Sequence, residues 1–291
     1  MSGAATIEPM PDDADAITLD DVIAQIRALP SLPAVVTELL TSMEQEDIDV
    51  HALAGKIALD QALAAKTLRL SNSSFYGMQS SVTTIQQAVS VLGFHNIRTL
   101  VTACALTASF APGAGRHFDF TAFWRHSIGT AACARVLAPH LRQHPETAFT
   151  CGLLHDLGSL VLATSYPRRY AAATAHRLHN DCVTLVAERA AFGLDHAQVG
   201  SALAGHWLFP QAIQNAVAGH HDADGGDPLA LTIYLANALA HALDFSGTED
   251  DQAPPLSLHA WRSAALSDAA CHQIFRDSER LFRDLCQILA H

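Results

Sequence analysis

The sequence contains no run of basic residues of the kind that binds a nucleic-acid backbone. Only 17 of the 291 residues are lysine or arginine, against 29 aspartate or glutamate, and the formal net charge is -12. Basic side chains supply most of the non-specific affinity of proteins for nucleic acid. We therefore predict that this protein does not bind nucleic acid.

Paired cysteines, a secretory leader and a long apolar run are also missing. The six cysteines form no Cys-x-x-Cys pair, so we expect reduced thiols in a reducing compartment. Residues 1–14 carry acidic residues and no basic one, unlike a signal peptide. No apolar run reaches the ~18–20 residues of a membrane span. These absences predict a soluble, cytoplasmic protein without membrane association.

Strand patterns are missing as well. β-Branched residues nowhere alternate with polar ones over a useful length, and no repeat occurs at a solenoid period. Hydrophobic residues recur instead at helical spacing, for example over residues 120–137 and 146–162. Because 49% of the residues are hydrophobic, as in globular proteins, we predict an all-α fold.

Turn-rich segments divide the predicted helices. We predict a flexible N-terminal tail over residues 1–17 and a helical subdomain over 18–113. The sequence Pro-Gly-Ala-Gly at 112–115 then indicates a boundary. A second helical subdomain is predicted over 114–245, followed by a loop and C-terminal helices over 246–291.

Histidine, in contrast, is abundant, with 17 residues. Several lie in or beside apolar helical stretches, in the order His126, His155-Asp156, His196 and His220-His221. A buried carboxylate is costly unless it is paired or binds a metal, and imidazole with carboxylate suits zinc, iron or manganese. An aspartate can also bridge two ions ~3.5–4 Å apart. The alternative is a core histidine beside a helix-ending aspartate, with hydrogen bonds satisfying both.

This order of histidines, together with motifs in the first half, resembles the HDOD family, which is related to HD-domain phosphohydrolases and HD-GYP phosphodiesterases. The resemblance covers roughly residues 20–245 and rests on these segments: Leu29-Pro30-Ser31-Leu32-Pro33, residues 57–60, 68–73 and 88–93, His155-Asp156, Glu188, Asp195-His196, Trp207, Pro210 and His220-His221. It implies a multi-helix HDOD fold of two closely packed helical subdomains, the second of them HD-domain-like.

The resemblance also implies a set of metal ligands. His126, His155 and Asp156 match three ligands of the first metal in HD domains. The residues that match the ligands of a second metal in HD-GYP enzymes are His196, His220 and His221. Asn237 stands where such proteins usually carry an aspartate. Because its amide is neutral, we expect one divalent ion (iron, manganese or zinc) in preference to two.

Two further departures from HD-GYP enzymes bear on catalysis. Ser159 stands in the place of a lysine, and no Gly-Tyr-Pro signature follows His221. A cation that would stabilise the charge of a phosphodiester transition state is therefore missing from its expected position. For Arg125, Arg168 and Arg169, solvation or a salt bridge is the expected role.

These features predict a bacterial signal-transduction protein in preference to an enzyme. Its partly degenerate HD site would serve to bind a ligand or partner, such as a signalling protein or a nucleotide second messenger. The main alternative is a metal-dependent phosphohydrolase or cyclic-dinucleotide phosphodiesterase. A purely structural core with empty histidines is the third.

Overall fold

The computed structural model describes residues 17–28, 34–41, 49–72, 81–109, 118–248 and 253–289. Within these ranges the chain forms sixteen α-helices and no β-strand, which confirms the all-α prediction. The predicted break at 29–33 and the predicted boundary at 112–115 lie outside the described residues, as do most of the predicted tail and residues 73–80.

The first half of the described chain contains α1 (Leu19–Ala28), α2 (Ala34–Thr41), α3 (Val50–Leu59), α4 (Gln61–Ser71), α5 (Ile85–Leu92) and α6 (Phe94–Ser109). Side chains of Thr18, Asp49, Asp60 and Thr84 cap the starts of four of them. For example, the backbone N–H of Asp21 donates to Thr18 Oγ1 at 3.2 Å, and that of Gln87 donates to Thr84 Oγ1 at 3.1 Å. Such caps satisfy backbone donors that have no partner inside the helix.

The second half contains α7 (Phe120–Leu137), α8 (Pro145–Leu154), α9 (Leu157–Ser165), α10 (Pro167–Asn180), α11 (Thr184–Phe192), α12 (His196–His206), α13 (Gln211–Gly219), α14 (Pro228–Ala242), α15 (Leu258–Ser263) and α16 (Asp268–Leu289). A 3-10 turn, Ala138–Leu141, follows α7.

The structure corrects the sequence prediction at two places in this half. The single helix expected over residues 146–162 is broken at His155 and Asp156 into α8 and α9. Helix α10 forms where no helix was predicted. The prediction missed it because its arginines, histidines and asparagine leave only a weak apolar stripe. Pro167 begins α10, a position that proline favours because its missing N–H would have no helical partner there.

The histidines singled out from the sequence are enclosed by six helices: α7, α8, α9, α12, α13 and α14. Helix α7 packs along α8 and α14, while α12 packs on α9 and α13. At the crossing of α9 and α12, a Cβ atom on Gly158 would lie only 1.9 Å from the carbonyl oxygen of His196. Only glycine allows so close an approach of two backbones.

The two halves share several helix contacts. Helix α6 packs on α8, α1 packs on α12, and α16 lies against α4, α6 and α7. Contacts between helices of the two halves therefore connect the two predicted subdomains. The exact subdomain limits stay a prediction.

Residues 145–165 are long and apolar enough, by length and composition, to cross a membrane, which corrects the expectation that no such stretch exists. However, 83% of that window is buried inside the fold. It comprises α8 and α9, which are core helices.

All six cysteines are free thiols, as predicted. Burial raises the pKa of Cys104 to about 12 and that of Cys133 to about 12. These buried thiols are therefore poor nucleophiles and weak candidates for metal ligands.

Candidate metal centre

The break between α8 and α9 places the central carboxylate of the site. Asp156 leaves the helix with φ -102° and ψ 8°, in the sparsely populated bridge region. Close packing holds this break, because a Cβ on Gly152 would lie 2.8 Å from Ala131 Cα on α7. His155 is completely buried, while the side chain of Asp156 keeps 20% of its surface exposed. The carboxylate is therefore accessible at an otherwise buried position.

One oxygen of Asp156 faces two histidines from α7 and the end of α8. Asp156 Oδ2 lies 3.2 Å from His155 Nε2 and 3.6 Å from His126 Nε2. The two imidazole nitrogens are 3.3 Å apart. We call these three residues the first group.

The other oxygen faces histidines from α12 and the end of α13. Asp156 Oδ1 lies 3.3 Å from His196 Nε2 and 3.5 Å from His220 Nε2. His221 Nε2 is 2.8 Å from His196 Nε2. Asp156, His196, His220 and His221 form the second group, so the fold brings together all six histidine and aspartate residues predicted from the sequence.

The spacing of these atoms fits a bound metal ion. Two ligand atoms at ~2.0–2.1 Å from a tetrahedral zinc ion lie ~3.3–3.4 Å from each other. The separation of His126 Nε2 and His155 Nε2 is 3.3 Å, and that of His196 Nε2 and His220 Nε2 is also 3.3 Å. In each group all ligand atoms lie within 4.8 Å of one another. Each group could hold an ion.

Hydrogen bonds on the far side of the rings orient them for metal binding. His155 Nδ1 donates to the Gly152 carbonyl at 2.8 Å, and His220 Nδ1 donates to the Val217 carbonyl at 2.6 Å. A carbonyl oxygen can only accept, so Nδ1 carries the proton. In the neutral ring the lone pair of Nε2 then points at Asp156, as a metal ligand requires.

The electrostatics divide the histidines of the second group. Burial lowers the pKa of His220 and that of His221, so both rings are neutral. Burial also lowers the pKa of His196, but the carboxylates of Glu188, Asp156 and Asp195 together raise it to about 9. A metal ion at His196 Nε2 would therefore displace a proton.

Asp156 is the anionic centre of the site. Burial raises its pKa, but His155, His220 and His196 together hold that pKa well below the ordinary value of 3.8. The side chain is a carboxylate at neutral pH, the form that binds metal ions.

Helix α14 packs on α7 and carries His241 next to the first group, with Asn237 one turn before it. Asn237 is buried, and its Oδ1 has no hydrogen-bond partner among the described residues. One turn later, the His241 ring lies 4.4 Å from the His126 ring, measured between centroids. That Asn237 is a ligand stays a prediction. His241 was not singled out from the sequence, although its spacing of four residues from Asn237 could have indicated a shared helix face.

Glu188 is a second residue of the site whose role was not predicted. It is 1% exposed on α11, and its Oε2 lies 2.5 Å from His196 Nδ1. Ser159, which replaces the lysine of HD-GYP enzymes, donates its hydroxyl to Glu188 Oε1 at 3.4 Å. An acidic residue inside an otherwise apolar helical stretch was the available signal, because a buried carboxylate needs a partner.

Two of the three arginines considered from the sequence make contacts within the fold, and the third is exposed to solvent. Arg125 Nε donates to the Ser246 carbonyl at 3.3 Å, and its guanidinium carbon lies 5.2 Å from the centre of the Phe282 ring. Arg169 Nη1 donates to the Ala191 carbonyl at 3.4 Å, and Arg168 is exposed. Arg125 and Arg169 connect elements of the fold.

The family model of the HDOD domain matches residues 29–223. An uncharacterized protein of Treponema pallidum (strain Nichols) is 27% identical over 231 residues, which cover 76% of this chain and 44% of that protein. The chain thus spans less than half the length of this relative.

Solved structures show the same fold. A candidate phosphohydrolase from Shewanella amazonensis SB2B is 27% identical with a TM-score of 0.71, and the match covers 91% of this chain and 97% of that one. A candidate signal transduction protein from Marinobacter aquaeolei VT8 is 20% identical with a TM-score of 0.74, covering 98% of this chain and 64% of that one. The second likeness concerns the fold alone.

Proposed function

The chain belongs to the HDOD domain family, and from that premise we propose that it is a signal-transduction module whose histidine–aspartate centre binds a divalent metal ion. One observation carries the proposal. Four imidazole Nε2 atoms lie within 3.6 Å of the Asp156 carboxylate oxygens. Such a set of nitrogen and oxygen donors suits zinc, iron or manganese.

We propose that one ion binds preferentially, in the second group. That group offers three imidazoles and a carboxylate oxygen. The first group offers two imidazoles and the other oxygen of Asp156, and the further ligand expected there, Asn237, is a neutral amide. Two ions would bring four positive charges against the single negative charge of Asp156, so binding a second ion is electrostatically unfavourable. A bound ion would supply Lewis-acid chemistry, polarising a phosphate oxygen and lowering the pKa of a bound water.

The surroundings of the site favour ligand binding over turnover. Ser159 is turned toward Glu188, and Arg125 is held by Ser246 and Phe282. Neither adds a positive charge to the site, and a phosphoryl-transfer transition state needs such charge. We therefore propose that the centre binds a phosphate-bearing ligand, such as a nucleotide second messenger, and passes its presence to a signalling partner.

The second candidate function is metal-dependent phosphohydrolysis. The donor set favours it, since histidines and a bridging aspartate can hold a pair of hydrolytic metal ions. The relative from Shewanella amazonensis that is 27% identical is described as a candidate phosphohydrolase. A cyclic dinucleotide is then the first substrate class to test.

Metal content tests the proposal directly. The protein is purified without a chelator or a histidine tag, and its metals are measured by plasma mass spectrometry. We expect about one equivalent in the wild type and nearly none in Asp156→Ala, because that variant loses the one carboxylate that the two groups share among the described residues. His206→Ala, an exposed histidine on α12, is the matched control and should keep its metal. A metal-free wild type that also gains no stability from added metal would refute the proposal.

Turnover separates the two candidate functions. The same proteins are incubated with nucleotides and cyclic dinucleotides in the presence of manganese, iron, zinc or magnesium. Hydrolysis that Asp156→Ala abolishes and His206→Ala retains would establish the phosphohydrolase. Binding of a nucleotide without hydrolysis would support the signalling module.

A further inference from the structure

Glu188 is a buried acid that contacts the metal centre from behind. Its Oε2 accepts a hydrogen bond from the backbone N–H of His196 at 2.9 Å and lies 2.5 Å from His196 Nδ1. Its Oε1 accepts from the Ser159 hydroxyl at 3.4 Å. Only 1% of its surface is exposed, and both of its carboxylate oxygens contact residues of the site.

The position of the negative charge on Glu188 matters because the candidate ligands carry little negative charge themselves. Asp156 is the one charged ligand, and Asn237 is neutral. A divalent ion in the second group is left with one uncompensated positive charge after Asp156 is counted. The Glu188 carboxylate lies just across the ring of His196 and is separated from the ion position only by that imidazole. It can therefore supply the second negative charge without being a ligand.

We infer that Glu188 is a positioning residue for the metal, which orients His196 and increases its donor strength through Nδ1. This inference rests on the proposed metal-binding function. It makes the second group the tighter of the two, because that group has an anionic outer partner at His196, whereas His155 of the first group has only the neutral carbonyl of Gly152. Removing such an outer partner typically weakens metal binding about 10–100-fold.

A purely structural role for Glu188 would be to hold α11 against the start of α12. Glu188→Gln distinguishes the two roles. Glutamine has nearly the same shape, its amide oxygen can accept from His196, and its amide nitrogen can donate to Ser159. The substitution therefore removes the charge and retains the hydrogen bonds.

The test is a titration of the metal-free full chain with Co²⁺. Binding is measured by calorimetry and by the visible absorption of the bound ion. We expect Glu188→Gln to bind Co²⁺ about 10–100-fold more weakly than the wild type, with a thermal midpoint of the metal-free protein close to that of the wild type. Glu279→Gln, an exposed position on α16, is the matched control and should bind like the wild type.

The outcomes separate this inference from the proposed function. If the wild type binds Co²⁺ and Glu188→Gln binds it equally well, the inference is wrong and the metal site remains. If the wild type binds no Co²⁺, the proposed function fails and the inference with it.

A second measurement covers the case in which Glu188→Gln does not fold. Crystals of the wild type are soaked in Co²⁺, and the ion is located by anomalous diffraction. An ion bonded to His196 Nε2, with Nδ1 still on Glu188, supports the inference. An ion found only between His126 and His155 overturns it.

Discussion

At the scale of single residues, the charge of a few side chains governs what the centre can hold. Asp156 provides both of its oxygens, one to each group of histidines. On α14, one turn before His241, Asn237 leaves a buried oxygen without a hydrogen-bond partner in the described part of the chain. A buried polar atom without a partner is rare in native proteins. This oxygen therefore indicates a position for a ligand atom that lacks only the charge.

Asn237→Asp should convert the centre into one that binds two ions. The new carboxylate adds a negative charge beside the first group, where two imidazoles and Asp156 Oδ2 already converge. We expect metal content to rise from about one equivalent toward two, as measured by plasma mass spectrometry and calorimetry. The metal-free variant should be less stable than the wild type, because an uncompensated buried charge is costly.

The control for this variant is Asn215→Asp, at an exposed position on α13. It makes the same chemical change away from the site and should leave the stoichiometry unchanged. An unchanged stoichiometry in Asn237→Asp would mean that Asn237 lies outside the metal shell.

At the scale of secondary-structure elements, the centre depends on how closely α9 and α12 cross. A Cβ atom on Gly158 would lie 1.9 Å from the His196 carbonyl oxygen and 2.7 Å from the Gly200 backbone nitrogen. Both obstacles are backbone atoms, which cannot rotate away as a side chain can. The crossing therefore sets the distance between Asp156, just before α9, and His196, at the start of α12.

Gly158→Ala should push α9 and α12 apart. We expect a loss of about 3 kcal/mol in the free energy of unfolding, at the upper end of what overpacking costs, together with weakened metal binding. Urea denaturation and the cobalt titration measure the two effects.

Gly55→Ala on α3 is the matched control, because a Cβ there meets no atom within 4 Å. Alanine in that helix should stabilise the protein by roughly 0.5–1 kcal/mol. If Gly158→Ala behaved like Gly55→Ala, the close crossing of α9 and α12 would not be needed for the site.

At the scale of the whole molecule, a buried polar network joins the two halves. Arg135 on α7 forms an ion pair with Glu146 on α8 at 2.8 Å and donates to Asn96 Oδ1 on α6 at 2.9 Å. Arg98, also on α6, is 4% exposed and attracted to Glu146. Because α8 leads directly into His155, this network connects α6 to the metal centre.

Helix α16 makes a second connection. Phe282 stacks on Phe245 with ring centroids 4.0 Å apart, and Phe245 packs against Gly129 of α7. Farther along α16, the Gln287 carbonyl accepts from Arg69 Nη2 on α4 at 3.2 Å. The metal centre is thus connected to the N-terminal half in two ways, through the network at Glu146 and through the contacts of α16.

The network at Glu146 predicts a pH dependence of stability. Burial raises the pKa of Glu146 above its ordinary value of 4.5, although Arg135 lowers it in part. The folded state then holds this proton more tightly than the unfolded chain, so the contribution to stability is complete below pH 4.5 and is lost as pH rises through the raised pKa.

Glu146→Gln cannot titrate and serves as the reference. The free energy of unfolding of the wild type minus that of Glu146→Gln should fall as pH rises from 4.5 toward neutrality. Urea denaturation of both proteins across this range measures it. A difference that grew with pH would mean that the ion pair with Arg135 outweighs the cost of burial.

The sequence by itself determined the helical class, the limits of α7 and the six histidine and aspartate residues of the centre. Helical periodicity and capping are local, so Thr18, Thr84 and Asp195 could be identified as helix starts from a few neighbouring residues. The candidate ligands were found through their order along the chain and a family resemblance.

Only the tertiary structure decided how the residues of the centre are arranged. It broke the helix at Asp156, gave one carboxylate oxygen to each group, and brought Glu188 and His241 to histidines that they contact. The pair His126 and His241 is separated by more than a hundred residues, and no local periodicity reports such a contact. These features arise from the packing of helices against one another, where the approach of two backbones at Gly158 and the need of a buried carboxylate for a partner determine which side chains meet.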